Sequence, residues 1–300
     1  MHRPPIQKIR DAVRLALAED VALGDATTAA LFPNTTGARG TIVAHQSLIV
    51  AGIAVAREVC AQIDPAIRII RAADDGRKIE NNTVVLMVEG DARSLLMAER
   101  VLLNFLQRLS GIATLTALFR QATKGYPTRI LDTRKTTPGL RALEKWAVRL
   151  GGGLNHRHSL GDGILIKDNH LALLRAQGRS VTDACRLARE RGPHGLRIIV
   201  EAQSLAQVRE ALTGKADVIL LDNMTPAQVR QAAGVIKGRA LVEVSGGITL
   251  EIAGEMAAAG ADYLSIGALT HSAPAANLSM DIVATTRSRQ SGRSPKAMRR

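Results

Sequence analysis

The stretch RIIVEAQSLAQVREALTGKADVILLDNM, residues 197 to 224, shows the pattern that decides the fold of the C-terminal half. Two short runs of Ile, Val and Leu each lead into polar residues, and an amphipathic segment that begins after Ser204 lies between them. Ser is a favoured helix N-cap, and continuously apolar strands that alternate with helices are typical of parallel βα units buried on both faces. The stretch therefore predicts a strand, a helix and a second, parallel strand.

The same alternation recurs from Thr128 onward. Further apolar runs occur in TRILDTRKT, DGILIKDNH, RALVEVSGG and YLSIGAL, so that predicted strands start near residues 128, 162, 197, 217, 239 and 263. An amphipathic segment follows the first of them, with helical spacing of Leu140, Leu143, Ala147 and Leu150. Strands that alternate with helices predict an α/β fold, either a barrel or an open wound sheet.

The first 125 residues lack this alternation. The opening residues predict a helix with one apolar face, formed by Ile6, Ile9, Val13 and Leu17. The segments GTIVAHQSLIVAG, AIRIIRA and TVVLMVEGDA predict strands of a mixed sheet. A long helix from about Ser94 to Thr123, interrupted at Ser110 and Gly111, is expected to join the two halves.

Composition bounds the class of protein. The chain has 300 residues, 46% of them apolar, which is enough to bury a full core. No apolar run approaches the roughly 18 to 20 residues of a membrane helix, and the N-terminus lacks the features of a signal peptide. We therefore expect a cytoplasmic protein without a membrane partner. Cys60 and Cys185 stand in no metal-binding spacing, which predicts two reduced, buried thiols.

The formal net charge of +13 raises the question of nucleic-acid binding. Six of these charges lie in residues 287–300, which contain no acidic residue, so +7 remains for the rest of the chain. The composition of residues 287–300 predicts a basic, disordered tail. Because the six aromatic residues are scattered and form no stacking platform, we expect no specific nucleic-acid partner.

Charged and polar residues follow every predicted strand of the C-terminal half. In a parallel βα array the carboxyl ends of the strands open on one face, where ligands bind. Cations are rarely buried without partners, so their density here indicates a highly anionic ligand. The residues at these strand ends are Asp132, Arg134, Lys135, Lys167, Asp168, Asn169, His170, Glu201, Asp222, Asn223, Ser245, Gly246, Gly247, Gly267 and Ala268.

Two glycine-containing turns and two carboxylates suggest what this face does. The turns VSGGI and IGAL follow the last two strands, where barrels often bind phosphate through backbone N–H groups. Glu201 and Asp222 could hold Mg²⁺ that is mainly chelated by a pyrophosphate, or could stabilise a cationic transition state. Alternatively, they pair with Lys135 and Lys167.

The histidines do not indicate a metal site. His156 and His158 flank an arginine without the helical spacing or the nearby acid of a zinc hydrolase. We interpret His156 as a hydrogen-bond donor to an anion.

Taken together, several motifs resemble the quinolinate phosphoribosyltransferases, also called nicotinate-nucleotide pyrophosphorylases (carboxylating). The motifs are EDVALGDATT, LLNFLQRLSGIATLT, DTRKTTPGLRALEKWAV, GGGLNHRHSLGDGILIKDNH, VILLDNM and VEVSGGIT. The resemblance runs from about residue 6 to 286. It implies an N-terminal α/β sandwich domain over residues 1–112, joined by part of the C-terminal segment, and an incomplete, open six-stranded parallel β/α barrel over residues 113–286.

The resemblance also implies a reaction. Members transfer a phosphoribosyl group from phosphoribosyl pyrophosphate to quinolinate with decarboxylation, which gives nicotinate mononucleotide, pyrophosphate and CO₂ in NAD biosynthesis. The implied cofactor is Mg²⁺. The implied assembly is a homo-oligomer, dimeric or hexameric, whose active sites are shared between subunits.

The family's functional positions can be placed on this sequence. Arg134, His156 and Arg157 would hold the two carboxylates of quinolinate, and Thr133 would also bind substrate. Arg100 would reach in from the other subunit. The implied catalytic residues are Lys135 and Lys167, on the pyrophosphate and ribose side, and Glu201 and Asp222, on the ribose hydroxyls and Mg²⁺. The implied 5′-phosphate site comprises Ser245, Gly246, Gly247, Ile266, Gly267 and Ala268.

The sequence departs from the family pattern at three places beside this site. Glu is common where Ile199 stands, and Leu and Gly are usual where His158 and Ser159 stand. One alternative is a paralogous phosphoribosyltransferase that acts on nicotinate or another substrate, but such a protein would lose the carboxylate-binding residues. Another is a basic nucleic-acid-binding protein with an inactive barrel.

Overall fold

The computed structural model describes residues 3–285, and the predicted tail at 287–300 lies outside them. The helices are α1 (Ile6–Asp20), α2 (Ala26–Leu31), α3 (Ile53–Ile63), α4 (Ala92–Ala122), α5 (Arg141–Leu150), α6 (Asp168–Arg175), α7 (Val181–Arg191), α8 (Leu205–Thr213), α9 (Pro226–Ile236), α10 (Leu250–Ala258) and α11 (Ala268–His271). The strands are β1 (Gly37–Ala44), β2 (Leu48–Ile49), β3 (Arg68–Ala72), β4 (Lys78–Ile79), β5 (Thr83–Asp91), β6 (Arg129–Leu131), β7 (Ile164–Ile166), β8 (Ile198–Ala202), β9 (Val218–Asp222), β10 (Leu241–Ser245), β11 (Tyr263–Ser265) and β12 (Leu278–Ala284).

The six predicted C-terminal strands form one parallel sheet in the order β6-β11-β10-β9-β8-β7. Within residues 3–285, β6 and β7 are the two edges and no ladder joins them, so the barrel stays open. This confirms the predicted α/β class and the incomplete six-stranded barrel. The helices between the strands are also confirmed; α8 begins after Ser204, whose hydroxyl accepts the Gln207 N–H at 3.3 Å.

The gap between β6 and β7 is partly filled by the connection between them. Leu154 lies parallel to the end of β6, donating its N–H to the Ile130 carbonyl at 2.8 Å and accepting the Asp132 N–H at 3.3 Å. Residues 155–157 therefore continue into the mouth of the barrel. They follow the open edge of β6, where a closed barrel would have another strand.

The N-terminal sheet has the order β12-β1-β5-β3, and every pairing in it is antiparallel. The prediction of a mixed sheet was therefore wrong: β12 returns from the C-terminal end and, like β5, runs antiparallel to β1, while β3 runs antiparallel to β5. The predicted apolar face of α1 is buried at Ile9, Val13 and Leu17, whereas Ile6, in the first turn, is 46% exposed.

Helix α4 is continuous over 31 residues, so the predicted interruption at Ser110 and Gly111 was wrong. Gly111 instead permits close packing, because a β-carbon there would stand 2.0 Å from the Pro274 carbonyl oxygen. The predicted division at residues 112 and 113 falls inside this helix and stays a prediction. By length and composition α4 could cross a membrane, contrary to expectation. However, 61% of its apolar 18-residue segment is buried inside the protein.

Both cysteines are buried and unpaired, in agreement with the prediction of two reduced thiols. Burial raises the pKa of each thiol, that of Cys60 and that of Cys185, to about 11. Thiols of such high pKa are poor nucleophiles at neutral pH. We therefore assign both cysteines to the core rather than to chemistry.

Candidate active site

A cavity of about 560 Å³ opens at the carboxyl ends of the barrel strands. It brings together residues from the β6–β7 region and from the ends of β8, β9 and β10, as the sequence predicted. The predicted site residues that line it are Thr133, Arg134, Lys135, His156, Arg157, Lys167, Glu201, Asp222, Ser245, Gly246 and Gly247.

Four predicted site residues do not line this cavity. Arg100 is exposed on α4, and Ile266, Gly267 and Ala268, which follow β11, are not part of the lining. A β-carbon at Gly267 would stand 3.1 Å from Cδ of Lys135. Gly267 thus provides the space in which the Lys135 side chain lies.

One side of the cavity is cationic. Nε of Arg134 is buried and has no hydrogen-bond partner among residues 3–285, which leaves a donor available for a ligand. Arg157 donates to the Gly163 carbonyl at 3.1 Å. Burial, and then the neighbouring charge of Arg134, lower the pKa of the Arg157 guanidinium. Two guanidinium groups that line one cavity suit a ligand with two negative charges, because each can bind a carboxylate through two N–H groups.

The opposite side carries the two predicted carboxylates. Glu201 accepts the Asp168 N–H at 3.1 Å, and Asp222 accepts Nδ2 of Asn223 at 2.9 Å. Within the described part of the chain neither carboxylate forms an ion pair with Lys135 or Lys167, so the alternative of mutual neutralisation was wrong for this structure. Both carboxylates retain oxygen atoms that can face a ligand in the cavity.

The turn after β10 requires glycine. Gly246 has a φ of 90° and Gly247 a φ of 60°, the left-handed region that favours glycine. A β-carbon at Gly246 would also stand 2.2 Å from Oδ1 of Asn223. The bare backbone at this turn therefore forms the edge of the cavity and can approach a ligand closely.

Comparisons with known proteins show the family of the chain. The family model for the quinolinate phosphoribosyl transferase C-terminal domain matches residues 112–281, and that for the N-terminal domain matches residues 25–110. The chain belongs to the quinolinate phosphoribosyltransferase family.

Individual relatives match nearly the whole chain. A nicotinate-nucleotide pyrophosphorylase [carboxylating] of Mycobacterium leprae is 42% identical, over 91% of this chain and 96% of that protein. A mitochondrial quinolinate phosphoribosyltransferase [decarboxylating] of Nicotiana tabacum is 37% identical, over 93% of this chain and 83% of its own length. The structure of the Francisella tularensis nicotinate-nucleotide pyrophosphorylase superposes with a TM-score of 0.85 at 35% identity, covering 93% of this chain and 97% of that one.

In this member of the quinolinate phosphoribosyltransferase family, both ring nitrogens of His156 face groups of the protein itself. Nδ1 accepts the Arg157 N–H at 2.8 Å, so the ring proton lies on Nε2, which is 3.3 Å from Oε1 of Glu243. The predicted donor group therefore faces a carboxylate of the protein. Glu243, 2% exposed and also bonded by the Ser265 hydroxyl, was not predicted, because a single Glu inside an apolar strand carries no motif.

Three further buried charges were given no role in the site by the sequence. Asp132, Glu144 and Lys145 are 0% exposed and lie directly behind the cationic side of the cavity. Asp132 was noted only as a strand-end residue. Glu144 and Lys145 carried no signal in the sequence, because charged residues of an amphipathic helix are usually exposed.

Proposed function

We propose that the chain transfers the phosphoribosyl group of phosphoribosyl pyrophosphate to quinolinate and releases pyrophosphate and CO₂, giving nicotinate mononucleotide. The observation that carries this proposal is the pair of guanidinium groups, Arg134 and Arg157, beside a cavity whose other side has carboxylates and a glycine turn. Quinolinate has two adjacent carboxylates on a pyridine ring. A substrate with one carboxylate would leave one of the two half-buried guanidinium groups without an anionic partner.

The chemistry assigns separate tasks to the two sides. Departure of pyrophosphate builds positive charge on the ribose, which the carboxylates of Glu201 and Asp222 would stabilise. Lys135 and Lys167 would offset the negative charge that builds on pyrophosphate. The ring nitrogen of quinolinate then forms the bond to C1 of the ribose as the bond to pyrophosphate breaks.

Decarboxylation follows from the product of that step. The carboxylate beside the ring nitrogen leaves as CO₂, and the electron pair of the broken bond stays on the ring carbon next to the new pyridinium nitrogen. A proton then replaces CO₂ on that carbon. The pyridinium is the electron sink, so no covalent bond to a side chain is required.

Mg²⁺ is the cofactor that we propose. Within residues 3–285 no group of three or more His, Cys, Asp or Glu residues is placed to hold a metal ion. The donor set still fits Mg²⁺, because this ion is usually held by one or two carboxylates together with substrate phosphates. Glu201 and Asp222 would supply those carboxylates, and bound Mg²⁺ would neutralise charge on the pyrophosphate.

We also propose a cytoplasmic homo-oligomer with shared active sites. Arg100 is exposed on α4 and absent from the cavity wall of its own chain, which agrees with a role at the site of a neighbouring subunit. The proposal includes no specific nucleic-acid partner and no membrane partner.

One assay tests the reaction. Purified protein is incubated with Mg²⁺ and phosphoribosyl pyrophosphate, and with quinolinate or nicotinate in separate samples. We expect mononucleotide and CO₂ in equal amounts from quinolinate only, and no product after a chelator removes Mg²⁺. Mononucleotide from nicotinate, without CO₂, would instead establish the paralogous activity.

A further inference from the structure

Helix α5 places two opposite buried charges side by side, and each holds one end of the loop that carries Arg134. At the start of that loop, the Asp132 carboxylate accepts hydrogen bonds from the Lys145 ammonium, from Nδ2 of Asn155 at 2.6 Å and from the His156 N–H at 2.8 Å. Lys145 also donates to the His156 carbonyl at 3.2 Å. The His156 peptide is therefore held at both its N–H and its carbonyl group.

The neighbouring residue on α5 holds the far end of the same loop. The Glu144 carboxylate accepts the Thr137 N–H at 3.0 Å and the Thr137 hydroxyl at 2.7 Å. Arg108 of α4 completes the set with a 2.8 Å bond to Glu144. Residues 132–137 are thus anchored at both ends by one turn of α5.

Stability alone does not account for these buried charges. Asp132 and Lys145 are both 0% exposed, and burial raises the pKa of the Asp132 carboxyl and lowers that of the Lys145 ammonium, while their mutual attraction opposes both shifts. Desolvation of an ion pair largely cancels its attraction, and well-packed neutral residues often stabilise a fold as well. The pair does, however, join the segment after β6 to the segment that contains His156 through hydrogen bonds, which apolar side chains could not form.

The two connected segments carry like charges. Arg134 follows Asp132, and Arg157 follows the His156 peptide that Asp132 and Lys145 hold. Before a dianion binds, the two guanidinium groups repel each other. An anchor behind them keeps them at a fixed separation, and fixed geometry before binding is what a two-point ligand requires.

We infer that Asp132 and Lys145 are positioning residues for the dicarboxylate end of the cavity, which set the separation of the Arg134 and Arg157 guanidinium groups. The inference rests on the proposed function, in which quinolinate is the dicarboxylate. Neither residue contacts the substrate in this role. Loss of the pair should weaken quinolinate binding and leave the phosphoribosyl pyrophosphate side unaffected.

The double variant Asp132→Asn/Lys145→Met tests the inference, because it removes both charges while keeping similar side-chain volumes. We expect it to fold, with the KM for quinolinate raised about tenfold or more and the KM for phosphoribosyl pyrophosphate changed less than about threefold. Phthalate, an unreactive benzene-1,2-dicarboxylate, should lose affinity by a similar factor in calorimetric titration.

A matched control separates positioning from loss of stability. Val229→Ala removes packing from a fully buried position of α9 and touches neither loop, so both KM values should stay unchanged. A folded double variant with an unchanged quinolinate KM, or with equal rises in both KM values, would overturn the inference. If the double variant does not fold, the single change Asp132→Asn decides by the same measurements.

The two proposals fail in different ways. If the wild-type protein does not convert quinolinate, the proposed function is wrong whatever the variants do. If the wild type is active and the variant binds phthalate as tightly as the wild type, only the positioning inference is wrong.

Discussion

The two sides of the cavity are built in different ways. The acidic side takes Glu201 and Asp222 from the ends of β8 and β9, which are neighbours in the sheet, so the ladder of backbone hydrogen bonds fixes their separation. The cationic side takes Arg134 and Arg157 from irregular segments beside the gap in the barrel, beyond the single backbone bridge between Leu131 and Leu154. Beyond the edge of the sheet, buried hydrogen bonds and ion pairs from α5 hold these segments in place of a backbone ladder. Burying the charges of α5 costs desolvation free energy.

The largest effect is expected from removing one charged group on each side. Lys135→Ala and Glu201→Ala should both fold normally and lose about a thousandfold in kcat, because each group stabilises charge that develops only in the transition state. Steady-state assays with circular dichroism would test this. Glu255→Ala, at an exposed position of α10, is the control with full activity. Near wild-type turnover in either folded variant would refute the assigned role.

A charge-preserving change probes the cationic side more finely. Arg157→Lys keeps the charge but loses the planar pair of donors, so kcat/KM for quinolinate should fall about thirtyfold while the KM for phosphoribosyl pyrophosphate stays the same. The same change at Arg186, an exposed residue of α7, should have no effect. An equal loss for both substrates would show that the two sides are not independent.

The acidic side should instead be sensitive to backbone geometry. Gly246→Ala places a β-carbon against Asn223 in a left-handed conformation, which should cost about 2 kcal/mol of unfolding free energy and raise the KM for phosphoribosyl pyrophosphate. Gly234→Ala is the matched control: this helical glycine of α9 has open space around it, so the change should stabilise the protein slightly. Thermal unfolding would detect opposite shifts, and a stable, active Gly246→Ala protein would contradict the argument.

The smallest effect concerns whether the cationic side is completed by a second subunit. Arg100→Ala and Lys135→Ala proteins, each inactive alone, should recover about a quarter of wild-type activity when mixed as exchanging dimers, because half of the dimers are mixed and each of these has one intact site. The exchange itself can be followed with differently labelled chains. No recovery after complete exchange would exclude a shared site.

The sequence predicted the regular parts of the molecule and most of the cavity wall. Apolar runs identified all six barrel strands, and their ends identified Glu201 and Asp222, because a parallel sheet converts strand ends into spatial neighbours. The sheet direction in the N-terminal half was not predictable from the same runs, since pairing there depends on β12 from the far end of the chain.

Buried polar residues account for most of what the sequence did not reveal. Charged residues such as Glu144 and Lys145 carry no signal of burial in the sequence, yet both are fully buried in the structure. Only the tertiary contacts of Asp132 and Thr137 explain why charges occur there. The role of Gly111 was missed for a similar reason, since its cause is the approach of Pro274 from a distant segment.

The uninterrupted α4 has a mechanical consequence. Its 31 residues span about 46 Å, and it packs on one flank against the antiparallel layer and on the other against α5 and α10. Unfolding of either region would expose the apolar side chains of α4 that pack against it. We therefore expect the two regions to unfold in a single cooperative transition, so that the stability of the cavity depends on packing in the N-terminal layer.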